Sequence, residues 1–415
     1  MVDGATVKRR QLLATFAAGS GLALPPVLAP KAWAQSSRVS DGIVKIGVLS
    51  DLGGPYRDFS GPGSLVAAHM AVEDFGGTVL GKPIEITSAD HQNKPDVGSA
   101  IAREWFSVGQ VDMITDLPNS AVALAVQQVA RDAGRVCINS SAATTELTGK
   151  SCAPFGMHWT ADGYALVTST VRALVRQGLD TWFFLTVDNA GGYTMEDAAR
   201  PVIQAEGGKI VAAVRHPLNT SDFSSYLLQA QASGAKVVAL ANAGNDLVNT
   251  LKQAAEFGLT NGKQHLAGMF VNITDIHSLG LAQTQGLTFT DGFYWDLDEQ
   301  TRAFSKRFQA RHKAMPTQYQ AGVYSAVAHY LKAIQACGTD EAGPVVAQMQ
   351  ATPVEDFFSR NGRLRPDGRM VHDMYMVQAK TPAASQSEWD LLRVMATIPG
   401  DEAFRSLAAG NCKMA

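Results

Sequence analysis

From residue 43 onward the sequence switches back and forth between two hydrophobic patterns, and that alternation constrains the fold more than any other feature. The run 43–49 (Ile-Val-Lys-Ile-Gly-Val-Leu) reads as a buried strand ended by Ser50-Asp51 and the turn-rich Gly53-Gly54-Pro55. Ser64 is placed to cap a helix in which Leu65, Ala68, His69 and Val72 recur at helical spacing until Gly76-Gly77 stops it. Strands are then predicted over 84–87, 111–115 and 136–139, with helices over 97–106 and 121–133 between them. Parallel neighbours need long crossover connections, so such an order implies a mostly parallel sheet covered on both faces.

The pattern restarts near residue 160. Helices are predicted over 164–177, 194–206, 222–233 and 246–257, and strands over 181–187, 209–214 and 236–240, which makes a second sheet of similar size. Segments 292–296, 300–312 and 321–336 add elements without enough strands for a third sheet, and they most economically rejoin the first lobe. A chain of 415 residues calls for more than one core. With 46% hydrophobic and 18% charged residues it buries enough apolar surface to offset its ordering entropy. Its 35 basic and 38 acidic residues form no long single-sign block, so nothing favours a nucleic-acid or anionic-membrane partner.

Residues 1–34 read as an export signal rather than as part of the fold. Lys8-Arg9-Arg10 precedes an apolar Gly/Ala-rich stretch, and Ala32-Trp33-Ala34 offers a peptidase site before polar Gln35-Ser36-Ser37. The paired arginines resemble a twin-arginine signal. Gly19, Gly21, Pro25 and Pro26 interrupt the apolar stretch and make it a poor permanent span. The periplasm is the expected compartment. Four cysteines, Cys137, Cys152, Cys337 and Cys412, fit it as two disulfides with three possible connectivities. Their spacing matches no metal-ligand pattern.

Ligands of open α/β sheets sit beyond the carboxyl ends of the strands. The loops there are 50–59, 116–120, 140–145, 188–193 and 242–246, and they carry hydroxyls, amides, small residues and aromatics. Ser, Ala and Thr leading into a helix expose backbone N–H groups beside hydroxyl donors, which suits a carboxylate. Enzyme motifs fare worse. Gly76-x-x-x-x-Gly81-Lys82 has Pro83 where a phosphate loop needs a hydroxyl, Gly61-x-Gly63 lacks the third glycine of a dinucleotide fingerprint, and no nucleophile elbow or zinc-protease motif occurs. Asp90-His91 reads as a structural pair.

Several stretches together resemble the type I periplasmic substrate-binding proteins of ABC importers, the leucine/isoleucine/valine-binding group: residues 46–51, Gly61-Pro62-Gly63, residues 73–77 and 90–94, residues 141–148, His158-Trp159-Thr160, residues 241–244, 324–333 and 365–370. The resemblance implies two Rossmann-like α/β lobes with mostly parallel central sheets, joined by three hinge crossovers near 158, 291 and 370. Lobe 1 would comprise 40–158 plus 291–370, and lobe 2 would comprise 159–290 plus 371–415. It further implies a monomer that closes on one small molecule and presents it to a membrane permease, with no catalysis, cofactor or metal.

By the same resemblance the ligand carboxylate is held by Asn119, Ser141, Ala142 and Ala143, and an aromatic comes from Tyr193. The acidic residue with which amino-acid binders hold the α-ammonium falls on or beside Phe270, with Asp246 or Asp275 as alternatives. Burying an ammonium without an anionic partner costs several kcal/mol. Tyr56, Phe59, Trp159 and Phe270, with Asn242 at a second-lobe strand end, complete the candidate site. The expected ligand is a carboxylate with an apolar or aromatic body, like those of the aromatic-acid-binding members; the alternative is a branched-chain amino acid or an amide.

Overall fold

A computed structural model describes residues 39–259 and 264–414; the expected export segment, with its paired arginines and the Ala34 site, lies outside them. The first half runs β1 (Val44–Ser50), α1 (Gly61–Phe75), β2 (Thr78–Val79), β3 (Lys82–Asp90), α2 (Pro95–Ser107), β4 (Met113–Asp116), α3 (Ser120–Ala133), β5 (Val136–Asn139) and β6 (Gly156–His158). These strands form a sheet in the order β2-β3-β1-β4-β5-β6, parallel except for the short β2. Next come α4 (Gly163–Arg176), β7 (Thr181–Val187), α5 (Ala190–Ala205), β8 (Lys209–His216), α6 (Ser224–Ala232), β9 (Val237–Ala241), α7 (Gly244–Glu256) and β10 (His265–Gly268). They build a second, wholly parallel sheet in the order β10-β9-β7-β8.

Period-two burial decides which core each strand residue feeds. On β1, Val44, Ile46 and Val48 enter one core with Ala67 and Ala71 of α1, while Leu49 faces the opposite core with Phe106 of α2 and Val126 of α3. On β7, Trp182 and Phe184 face Leu166 and Val171 of α4, whereas Phe183 and Leu185 face Leu227 and Leu247. Each such side chain contributes roughly 1.5–3 kcal/mol by leaving water.

After α8 (Ile273–Leu279), α9 (Leu281–Thr284) and β11 (Thr288–Asp291) the chain enters α10 (Glu299–His312) and α11 (Gln318–Cys337). Phe304, Phe308 and Tyr330 of these helices share the core of α1 and β1. Then follow α12 (Ala342–Ala351), a small β12 (Arg363–Leu364) and β13 (Met370–Val371) pair, β14 (Met374–Ala379), β15 (Leu392–Ile398), α13 (Gly400–Ala403) and α14 (Leu407–Gly410). Strands β11, β14 and β15 form an antiparallel sheet that the periodicity does not announce. No described helix is long and apolar enough to cross a membrane.

Local structure departs from the sequence reading at two helix starts. Helix α1 begins at Gly61, with Ser60 in the cap position and Pro62 in the first turn, so Ser64 lies inside it rather than capping it. Helix α5 begins at Ala190 rather than 194, because the Asn189 side chain accepts the Gly192 N–H at 3.0 Å. The cysteines differ as well. One disulfide, Cys152–Cys412, ties the tail beyond α14 to the loop before β6, while Cys137 and Cys337 are free thiols. A second bridge is precluded because Cys137 faces the α2–α3 core, and Cys337 packs on the opposite core. Burial pushes the Cys137 thiol up to about 12.

Candidate functional site

The carboxyl ends of both parallel sheets meet at a narrow cleft. From the first sheet it receives Tyr56 and Phe59 after β1, Pro118 and Ser120 after β4, and Ala143 after β5. The second sheet supplies Val187 and Asn189 at the end of β7, Gly191, Gly192 and Met195 from the start of α5, Ala243 after β9 and Phe270 after β10. Hydrogen bonds cross the gap: Asn189 donates Nδ2–H to the Tyr56 hydroxyl oxygen at 3.2 Å, Asn245 donates its N–H to the Pro55 carbonyl at 3.2 Å, and Gly163 donates its N–H to the Ala143 carbonyl at 2.7 Å. The lobes are therefore closed on each other. About 20 Å³ of free volume remains, room for about one water molecule.

The lining combines aromatic bulk with neutral donors. Phe59 lies with its ring centroid 5.3 Å from Tyr56 and 5.2 Å from Phe270, and Phe270 stacks on Tyr319 at 5.2 Å. Helices α3 and α5 bring their N-termini in from opposite lobes; a β-carbon at Gly191 would lie 3.1 Å from the Ser120 hydroxyl oxygen. The Asn119 and Asn189 side chains take up the N–H groups of Ala121, Val122 and Gly192, which leaves those of Ser120, Ala190 and Gly191 beside the partial positive charge of each terminus. Ser120 Oγ accepts the Thr144 N–H at 3.2 Å, which leaves its own proton to donate. No carboxylate, ammonium or guanidinium is among the lining residues. Tyr56 is the one ionisable group there, and burial raises its phenol so that it stays protonated.

Of the ten candidate residues, Tyr56, Phe59, Ala143 and Phe270 are brought together in this lining. The others are placed behind or beside it. Asn119 spends its side-chain oxygen capping α3, accepting from Ala121 and Val122 at 3.0 and 3.2 Å. Ser141 turns its hydroxyl inward onto Asp116, and Ala142 is wholly buried. Asn242 is buried against His216 and Thr250. Trp159 does not reach the cleft: it is fully buried in the first core and donates its indole N–H to Ser325 at 3.0 Å. Tyr193 is 41% exposed, donates to Asp188 and lies under Arg215 beside a neighbouring open groove. Residue 193 is the fourth of α5, two positions on from Gly191, so its side chain leaves the helix about 200° round from that glycine.

The alternative acids also stand away from the lining. Asp246 receives the Asn219 N–H at 3.2 Å, and Asp275 caps α8 by accepting the Asn272 N–H at 2.8 Å. Burial pushes them up to about 6 and about 7. His91 is buried and held down to about 4, hence neutral, and its Nδ1 accepts the Asn93 N–H. Pro118, Ser120, Val187, Asn189, Gly191, Gly192, Met195 and Ala243 line the cleft without having been singled out in the sequence. All but Val187 and Met195 lie in strand-end loops already marked by position.

A family profile for periplasmic binding proteins matches residues 43–386. The chain belongs to that family. Among solved structures, this periplasmic binding protein is similar to one from Burkholderia mallei, at 46% identity and TM-score 0.88, covering 90% of this chain and 99% of the other. It is also similar to a branched-chain amino acid ABC transporter periplasmic ligand-binding protein from Burkholderia xenovorans, at 42% identity and TM-score 0.80, covering 89% and 99%. A solute-binding protein of an ABC transporter from R. palustris in complex with benzoate shares the fold at 20% identity and TM-score 0.80, covering 89% and 99%. Curated relatives, the Leu/Ile/Val-binding protein homologs 6 of Brucella, match at 25% identity over 57% of this chain; the chain spans 61% of their length. These neighbours are solute-binding proteins rather than enzymes.

Proposed function

We propose that this periplasmic binding protein captures a small carboxylate with an apolar or aromatic body outside the cytoplasm and delivers it to the permease of an ABC importer. The single observation that carries the ligand class is the lining itself, where two opposed helix N-termini and neutral hydroxyls meet aromatic rings with no acidic side chain. An anion is favoured where orphan N–H groups converge in a dry cleft, and a planar apolar body suits Phe59 and Phe270. The closed cleft is too small for such a body, so binding begins from separated lobes, and closure follows as hinge motion driven by tighter binding to the closed form. We assign residues 40–158 and 291–370 to one lobe and 159–290 and 371–415 to the other, as a monomer.

A branched-chain amino acid is the second reading, favoured by the likeness to the branched-chain amino acid ABC transporter ligand-binding protein of Burkholderia xenovorans. Thermal shifts with benzoate, 4-hydroxybenzoate and cinnamate, set against leucine, isoleucine and valine, separate the two. Stabilisation by the aromatic acids supports the proposal; a response to the amino acids alone overturns it.

A further inference from the structure

A buried carboxylate just beneath the cleft has no role in the reading above. Asp116, the last residue of β4, is fully buried and has φ of 86°, and Leu117 follows at 65°. Left-handed backbone at two successive non-glycine residues is costly and persists where surrounding contacts over-determine it. Those contacts are a directed chain. The Gly61 N–H donates to Ser50 Oγ at 2.9 Å, Ser50 lies 3.1 Å from Ser60 Oγ, and Ser60 donates to Asp116 Oδ2 at 2.7 Å. From the other side Ser141 donates to Asp116 Oδ1. The backbone repeats the pattern, with the Ser140 N–H on the Asp116 carbonyl at 3.0 Å.

We propose that Asp116 is the positioning residue of the cleft: its carboxylate ties the loop carrying Tyr56 and Phe59 to the loop carrying Ala143, while its own strained turn aims Ser120. This rests on the reading of the cleft as the ligand site. A neutral side chain of the same shape would satisfy at most part of the chain, because the amide nitrogen of asparagine cannot accept from a serine hydroxyl. Glycine would remove the strain and the carboxylate together. The arrangement therefore predicts that Asp116→Gly holds the fold but loosens both loops.

The test is hydrogen exchange on the ligand-free protein together with titration by benzoate and by leucine, for wild type, Asp116→Asn, Asp116→Gly and the pair Ser60→Ala and Ser141→Ala. Exchange in peptides 52–61 and 140–144 is expected to rise together by about tenfold in both Asp116 variants and to stay unchanged over 181–187. Ser141→Ala should loosen only 140–144, and Ser60→Ala only 52–61. Affinity for whichever probe the wild type binds should fall at least tenfold in Asp116→Gly, and less in Asp116→Asn, while the melting temperature of Asp116→Gly falls only modestly, because strain relief offsets part of the lost hydrogen bonding. Unchanged exchange, or a change confined to one loop in the Asp116 variants, overturns the assignment; so does affinity that follows melting temperature alone. A wild type that binds neither probe would refute the ligand reading, while the exchange data still decide the role of Asp116. Should the Asp116 variants fail to fold, the two serine variants carry the same comparison.

Discussion

Gly244, the first residue of α7, meets the carbonyl oxygen of Pro55 backbone to backbone across the cleft, and a β-carbon there would lie closer to that oxygen than real β-carbons ever come. Its φ is +57°, and the next residue, Asn245, donates its N–H to the same Pro55 oxygen. The closed form thus needs a residue without a side chain at this position.

Gly244→Ala should hold the lobes apart while leaving each lobe folded. Affinity is expected to fall at least tenfold, and small-angle scattering should lose the ligand-induced contraction. The unfolding free energy without ligand should drop only by the roughly 1–2 kcal/mol that a left-handed alanine costs. Normal contraction on ligand addition would refute the role of this contact.

The Cys152–Cys412 bridge fastens a tail that is held by other contacts as well: Arg365 donates to the Arg405 carbonyl at 2.8 Å, and Arg405 donates to the Thr145 carbonyl at 3.0 Å. Cys152→Ser with Cys412→Ser is therefore expected to cost about 2 kcal/mol, the low end for a native disulfide. Ligand affinity should change less than threefold. Denaturant midpoints and calorimetric titration check the two halves of this statement.

Two buried carboxyls make stability depend on pH. Burial pushes Asp275 up to about 7 and Asp291 up to about 8, well above their unfolded value of 3.8. Between the unfolded and folded values the native state holds more protons than the unfolded state, so stability falls as pH rises. The buried and half-buried His91, His158, His216, His265, His312, His329 and His372 are held below the ordinary 6.5, so near pH 6.5 the unfolded chain takes up their protons and stability rises with pH; that opposing slope fades only above about pH 7.5. Between pH 7.5 and 9 the unfolding free energy should therefore fall by about 1 kcal/mol more in the wild type than in Asp275→Asn with Asp291→Asn. Parallel profiles in the wild type and the double variant would contradict it.

Phe270 is only 3% exposed and lines the cleft, and in the proposed reading it stands where an amino-acid binder would place its acid. Phe270→Glu should weaken aromatic-acid binding at least tenfold and cost about 3 kcal/mol in the ligand-free protein by burying an unpaired charge. Leucine should restore part of that loss in a thermal-shift measurement. Loss of stability without any response to leucine would mean that the amino group of a ligand points elsewhere.

The two-sheet α/β architecture is legible in the sequence because β1 and β7 are continuous apolar runs bounded by turn residues and helical spacing. The antiparallel sheet is not: β15 is exposed along most of its length, so Arg393 to Thr397 carry no buried period. Strand-end loops identify the cleft region, since parallel topology dictates where ligands sit. Which residue of each loop reaches the cleft depends on local capping. Asn119 caps α3 and leaves Ser120 to face the gap, and the start of α5 at Ala190 turns Tyr193 outward while Gly191 faces Ser120. The position of Trp159 next to the crossover expected near residue 158 points to the ligand, but its indole donates to Ser325 in the core instead.

Calorimetric titration of the protein with benzoate and with leucine, run in parallel, tests the central claim most directly. Micromolar or tighter binding of benzoate with a weak or absent leucine signal is the predicted result. Tight leucine binding with none for benzoate would contradict a cleft that selects an anion with an apolar body and offers no partner to a cation.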